Sequence, residues 1–198
     1  MYTNNPYAHA GWPNANHNAV NISGNAPPSV FGALPFSGPS SRAAVLAFTF
    51  VNFTPTIMNC IVMGPDGKPY YRISTDNPAG GFTTIQGAAG QNVAVIEWRT
   101  VPLIEIHGVV PRQPVSQWVA LSPQKDRRFM VIKGETYVWI PGGDVISLYL
   151  MANASTLLAR VTKHSAVQLE ISTNSIHAGL LDPCVAATML LLCGQTLG

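Results

Sequence analysis

The feature that most constrains this chain is an apolar helix near its C-terminal end. Asp182 stands where a helix N-cap is expected, and Pro183 follows at the first helical position. Gly194 stands where a left-handed C-cap would end the helix. These boundary signals predict one helix over residues 182–193.

This helix has no hydrophilic face, so we expect protein to surround it on every side. Its one polar side chain beyond the first turn is Thr188, whose hydroxyl can bond to a carbonyl one turn earlier. About 11 helical residues span roughly 16 Å, which is too short for a bilayer core of about 30 Å. A transmembrane segment is therefore not predicted. The predicted core positions of the helix are Pro183, Cys184, Val185, Met189, Leu190, Leu191 and Leu192.

From Ala44 onward the chain consists of short β-branched and aromatic runs separated by Gly, Pro, Asn or Asp. The clearest hairpin joins Cys60–Met63 to Tyr70–Ser74 through a turn with Asp66 and Gly67 at its centre. With 17 Gly and 16 Pro, the chain is punctuated too often for a helical bundle. Further strands are predicted at Val45–Phe53, Phe82–Gln86, Val93–Arg99, Leu103–His107, Val115–Ala120, Arg128–Ile132, Tyr137–Ile140, Val145–Leu150, Leu157–Thr162 and Val167–Ile171.

Strands at this spacing predict a mainly β fold, either an antiparallel barrel or a sandwich, over residues 43–198. Residues 1–42 are rich in Asn, Pro and Gly, and their apolar side chains show no period. We predict an irregular N-terminal extension there. Its scattered aromatic residues would dock on the domain or on a neighbouring copy, and the alternative is a disordered leader.

Charged residues make up only 10% of the chain, against about 25% in a typical soluble domain. A surface with so few charges is poorly protected against self-association. This favours an oligomer, a coat-like assembly or a membrane-facing protein over a soluble monomer with an Asn-, Ser- and Thr-rich surface. The net charge of +2 is spread over both signs, so nucleic acid is not a predicted partner.

The cysteine count and the uncharged N-terminal residues indicate the compartment. Three cysteines are an odd number in a chain of this size, so free, buried thiols are expected rather than a disulfide framework. The first 41 residues carry no charge and therefore lack the cationic start of a secretory signal. We expect a cytosolic protein.

Five motifs, in a fixed order, give the chain a family resemblance. They are a D-G turn leading into Y-R-I, an A-x-I-E-W strand, R-F followed by G and Y-x-W, then L-x-I, and L-D before the helix. Over residues 44–194 the chain resembles a family of uncharacterised fungal proteins, abundant in mushrooms, grouped with the tubby C-terminal superfamily. That superfamily also holds the LURP-one-related proteins and the phospholipid scramblases. The motif residues are Asp66, Gly67, Tyr71, Arg72, Ile73, Ala94, Ile96, Glu97, Trp98, Arg128, Phe129, Gly134, Tyr137, Trp139, Leu169, Ile171, Leu181 and Asp182.

The resemblance implies a closed antiparallel β-barrel of about 12 strands around one hydrophobic C-terminal helix. It also implies a contact with anionic lipid, because tubby domains bind phosphoinositide headgroups through a basic pocket. The closest basic cluster in this sequence is Lys125, Arg127 and Arg128, with Asp126 inserted among them. The alternative for this cluster is an ordinary solvated turn.

Motifs for catalysis are absent from the sequence: there is no G-x-S-x-G elbow, no P-loop and no zinc-type spacing among the five histidines. Cys184 at a helix start, with Asp182 and His177 nearby, is conceivable as a nucleophile, but an apolar helix favours a buried thiol. Glu97 and Glu105 alternate with core residues and should face solvent. We predict no enzyme activity, no cofactor and no metal.

Two classes of function remain, and the sequence also leaves open a third, an enzyme whose site is assembled across several strands. The first is a non-enzymatic structural or interaction protein that forms homo-oligomers or docks on a protein partner. The second is a peripheral membrane or phosphoinositide-binding module.

Overall fold

A computed structural model describes residues 44–77 and 81–197 of the chain. The predicted extension over 1–42 lies outside these residues. The described part contains thirteen strands and three helices. The strands are β1 Val45–Val51, β2 Cys60–Met63, β3 Pro69–Thr75, β4 Phe82–Gly87, β5 Asn92–Glu97, β6 Leu103–Ile106, β7 Val110–Pro114, β8 Val119–Leu121, β9 Arg128–Ile132, β10 Glu135–Gly142, β11 Val145–Leu150, β12 Asn153–Thr162 and β13 Val167–Ser172; the helices are α1 Val115–Trp118, α2 Thr173–His177 and α3 Leu181–Leu192.

The thirteen strands form a single antiparallel sheet, which is a meander with one long-range pairing. Strands β1 to β7 pair in sequence, and so do β8 to β13. The two runs are joined because β1 pairs with β13, for example with Phe48 opposite Leu169. The mainly β prediction is therefore confirmed.

The predicted closed barrel differs from the structure, in which β7 and β8 are the two edges and do not hydrogen-bond to each other. Pro111 and Pro114 lie on β7, and each removes a backbone donor from that edge. The helical turn α1 then carries the chain from one edge strand to the other. The predicted strand Val115–Ala120 is wrong for its first four residues, which form this turn.

Helix α3 lies within one residue of its predicted bounds and is apolar on all sides. Every residue from Pro183 to Leu190 is buried, whereas Leu191 and Leu192 are half-buried. The Thr188 hydroxyl donates to the Cys184 carbonyl over 2.7 Å, so the polar side chain within the buried part of the helix has a hydrogen-bond partner. Gly194 has a φ of +72°, the left-handed conformation that ends the helix. None of the helices in the described residues is long and apolar enough to cross a membrane.

The start of α3 differs from the prediction. Leu180 occupies the N-cap, and no side chain caps the helix there. Asp182 lies in the first turn instead, and it accepts a hydrogen bond from the hydroxyl of Tyr71 on β3 over 2.5 Å. The short helix α2, whose N-terminus is capped by the Ser172 hydroxyl, precedes α3 directly. A left-handed turn at Gly179 connects the two helices, so α3 begins before Asp182. The hydrogen bond between Tyr71 and Asp182 therefore links α3 to the sheet.

Candidate functional site

The predicted cationic cluster lies at one end of the sheet, around a small pocket. Lys125 and Arg127 belong to the loop between β8 and β9, and Arg128 begins β9. All three line a partly open cavity of about 140 Å³, together with Asp126. We call this cavity the end pocket. Its remaining lining residues are Leu121, Trp139, Pro141, Ile146 and, from α3, Leu191.

The loop that carries the cluster is held by its own hydrogen bonds. The Ser122 amide donates to the Arg127 carbonyl over 2.9 Å, and the Ser122 hydroxyl donates to the Asp126 carboxylate over 2.7 Å. Asp126 also accepts from Arg127 Nη2 over 2.6 Å. The Arg127 hydrogen bond, followed by the one from Ser122, lowers the pKa of Asp126 to about 2. Asp126 is thus an ionised partner of Arg127.

Arg128 differs from its neighbours because its side chain lies on the inner face of the sheet. It alternates with Phe129, shares its face with the buried Met130 and stands opposite Trp139 on β10. Arg128 Nη1 donates to the Val119 carbonyl over 2.9 Å. Burial lowers the pKa of the guanidinium, and no carboxylate in the described part of the chain pairs with it. The sequence shows the same alternation, because Arg128 is the first residue of the predicted strand Arg128–Ile132 as well as a member of the predicted cluster.

Sequence reasoning missed the apolar side of the end pocket. Trp139 is only 1% exposed, and its indole Nε1 has no hydrogen-bond partner among the described residues. A buried donor without a partner is unusual in a folded protein. The signal that could have found this apolar side is the two-residue turn at Lys133 and Gly134, both with positive φ, because the hairpin register that it sets places Trp139 opposite Arg128.

The other end of α3 holds Cys184, the predicted alternative nucleophile. The thiol is fully buried, and burial raises its pKa, so it stays protonated at neutral pH. His177 is exposed on α2. Burial and the hydrogen bond to Asp182 also raise the pKa of Tyr71. A cysteine nucleophile requires an accessible thiol with a lowered pKa, which this environment does not provide.

The remaining acidic candidates lie on the outer face of β5 and β6. Glu97 is paired with Arg99 and with Arg112, and hydrogen bonding from Arg99 is the largest cause that lowers its pKa. Glu105 is exposed. Glu97 is thus engaged in an ion-pair cluster near the β7 edge.

The histidines do not gather at one place in the described structure. His164 Nδ1 lies 3.6 Å from Asp144 Oδ2, with both side chains exposed, and His107 is exposed on its own loop. Within residues 44–77 and 81–197, no group of three or more metal-ligating side chains occurs. His9 and His17 lie outside the described residues.

A second surface feature is the outer face of β8 to β11. These strands contain two charged residues, Arg128 and Glu135, and both lie at positions on the inner face of the sheet. The outward positions therefore carry no charge, and we call this surface the apolar face. Phe129 and Tyr149 flank Val138 on neighbouring strands. The outward residues are Ala120, Phe129, Val131, Thr136, Val138, Ile140, Val145, Ser147 and Tyr149.

Ionic side chains lie elsewhere on the sheet. Arg160 on β12 pairs with Glu170 on β13. The two arginines that pair with Glu97 lie on or next to strands β5 to β7, in the other run of strands. Around the apolar face, charges occur in the turns, at Lys133 and Asp144 for example. Strands β1, β2 and β4 also lack charged residues, but in the described sheet only β8 to β11 form a run of four adjacent strands without an outward charge.

The fold defines a mainly β domain with one thirteen-stranded antiparallel sheet and a buried C-terminal helix. Residues 54–192 match the model of a family of unknown function, DUF6593. The chain belongs to this family.

No curated protein matches the chain. A solved X-ray structure of a protein from Arabidopsis thaliana is similar to it, with a TM-score of 0.42 and 8% sequence identity. The similarity covers 73% of this chain and 92% of the Arabidopsis chain.

Proposed function

We propose that the protein is a non-enzymatic interaction domain that self-associates through the apolar face. The observation that carries this proposal is the absence of any outward charge on β8 to β11. Of the 20 formal charges of the chain, none occupies an outward position on these four adjacent strands. Contiguous apolar surface of this kind marks interaction sites in soluble proteins.

A second copy of the same face is the partner that fits it best. In a two-fold dimer the same patch meets itself, so a charge close to the axis would meet its own like charge, and a charge elsewhere would need an opposite charge on the same patch. The apolar face avoids this repulsion. Phe129 and Tyr149 supply the aromatic side chains that are enriched at the centres of interfaces, and Val138, only 6% exposed, packs between them. The charged turns at Lys133 and Asp144 would form the polar rim.

Replacing Val131 with glutamate should convert the oligomer into a monomer. Val131 is 48% exposed on the apolar face, opposite Thr136, and a carboxylate there would be buried without a partner in an apolar interface. We expect the dissociation constant to rise at least about tenfold, which corresponds to about 1.4 kcal/mol. Light scattering and sedimentation of the full-length chain measure it.

Val101→Glu is the matched control, because Val101 is also 48% exposed but lies in the β5–β6 loop. It should leave the oligomer unchanged. A wild-type chain that stays monomeric at high concentration contradicts the proposal. Equal association of the two variants contradicts the choice of face.

The end pocket supports a second candidate, peripheral binding to an anionic membrane by a cytosolic protein. Lys125, Arg127 and Arg128 lie around one opening with a single acid, so a phosphate headgroup would meet a net positive site. The relationship to the tubby C-terminal superfamily, predicted from the sequence motifs, favours the same candidate and stays a prediction.

Vesicle co-sedimentation tests this candidate. At low salt, the wild-type chain should pellet with vesicles that contain phosphatidylinositol bisphosphate and not with phosphatidylcholine alone. The double variant Lys125→Glu, Arg127→Glu should lose at least about tenfold in affinity, as each basic residue contributes about 1 kcal/mol. The double variant Lys68→Glu, Arg72→Glu makes the same charge change on exposed residues of another hairpin and should keep binding. Equal loss in both would mean non-specific charge attraction.

A further inference from the structure

The end pocket combines an unpaired inward cation with apolar walls. Arg128 stands directly opposite Leu121 on β8 and Trp139 on β10, so these side chains share the inner face on three adjacent strands. Pro141 and Ile146 are opposite each other in the next pair of strands and extend the same wall. The cationic group therefore lies beside a carbon surface.

The charge on Arg128 is not neutralised by its neighbours. Asp126, the only acid among the lining residues, is held by Arg127 and Ser122. Within the described residues, the hydrogen bond of the Arg128 side chain goes from Nη1 to the Val119 carbonyl. A guanidinium carries five N–H donors in a planar fork, so most of its donors are open to a carboxylate.

The cavity fits a ligand of a definite size. Its volume of about 140 Å³ is close to that of an apolar cavity of about 150 Å³ that holds one benzene ring. The apolar residues would surround such a ring, and Leu191 of α3 would cover it from the helix side. Trp139 adds a buried indole N–H without a partner among the described residues.

We infer that the end pocket binds a small organic carboxylate with one ring-sized apolar group, its carboxylate on the Arg128 guanidinium. Charge-assisted, bidentate pairing would give the recognition, since an arginine fork matches the two carboxylate oxygens. The apolar walls favour this ligand over a bare inorganic anion, which would leave them without a partner. A binding site of this type is separate from the apolar face and does not depend on it.

Titration of the full-length protein with benzoate, followed by NMR and calorimetry, tests the inference. We expect saturable binding at millimolar concentration or below, with a shift of the Trp139 indole signal. Benzamide has the same shape without the charge, and it should bind at least about tenfold more weakly, the usual value of a charge-assisted hydrogen bond. Inorganic phosphate should compete poorly.

Two variants locate the site. Arg128→Gln should weaken benzoate binding at least about tenfold, whereas Arg160→Gln, on the outer face of β12, should leave it unchanged. Leu191→Phe keeps every charge but fills the cavity, so it should abolish binding. This variant tests the site independently of whether Arg128→Gln folds. Leu157→Phe, an exposed position on β12, is its control.

The affinities for benzoate and benzamide and the effect of Leu191→Phe decide whether the inference holds. Equal affinity for benzoate and benzamide, or binding that survives Leu191→Phe, overturns it. Vesicle binding without benzoate binding overturns it as well and supports the membrane candidate. Benzoate binding by a protein that ignores vesicles supports it.

Discussion

Replacement of Ala187 with aspartate is expected to leave the protein unfolded. Ala187 is 0% exposed in the middle of α3, and the residues on both sides of it are buried as well. A carboxylate at this position has neither water nor a cation to stabilise it. An unpaired buried charge costs several kcal/mol, which is comparable to a total stability of about 5–15 kcal/mol.

Circular dichroism and urea unfolding measure this effect. Ala89→Asp is the matched control, because Ala89 is exposed in the turn between β4 and β5. It should change the free energy of unfolding by less than about 0.5 kcal/mol. A folded Ala187→Asp protein with near-normal stability would show that α3 has a solvent-facing side, and the enclosed-helix description would be wrong.

Alkaline pH is expected to destabilise the protein steeply. Burial raises the pKa of Cys60 to about 12, and it raises the pKa of Cys184, Cys193 and Tyr71 in the same direction. A raised folded-state pKa gives stability that is present below the unfolded pKa and is lost as the pH rises towards the folded value. The loss therefore begins near pH 9.0 for the thiols and pH 10.0 for the tyrosine.

The expected slope is large because the four groups act together. Each group contributes about 1.4 kcal/mol per pH unit once its unfolded form ionises. Urea unfolding between about pH 8 and pH 10.5, with excess reducing agent, should show the free energy of unfolding falling ever more steeply. Near pH 10, Cys184→Ala should reduce the slope by close to 1.4 kcal/mol per pH unit, and Tyr71→Phe should reduce it by about half as much, because at pH 10.0 half of the unfolded tyrosine is ionised. An unchanged slope in both variants would contradict the deep burial of these groups.

Local signals predicted the elements whose determinants are close together in the sequence. The Gly194 C-cap and the apolar span before it placed α3 within one residue, because capping depends on adjacent residues. Strand β9 appears over Arg128–Ile132 and β11 over Val145–Leu150, as the alternation and β-branched content indicated.

Local signals failed where a distant contact decided the structure. Asp182 was predicted to cap α3, but it instead accepts a hydrogen bond from Tyr71, which lies 111 residues away. The strand-like run at Val115 became helix α1, because the chain must pass there from one sheet edge to the other. Strand β7 was missed since two prolines in five residues argue against a strand, and the structure tolerates them only because β7 is an edge.

Composition, hydrophobic period and helix capping are local properties. They are sufficient to establish that the chain is mainly β, that it has few charges and that protein must surround its apolar helix. The tertiary structure alone decided the open seam between β7 and β8, the apolar face and the end pocket. The seam depends on the pairing of β1 with β13, and the end pocket depends on α3 bringing Leu191 next to Trp139. No local preference encodes contacts between residues so far apart in the chain.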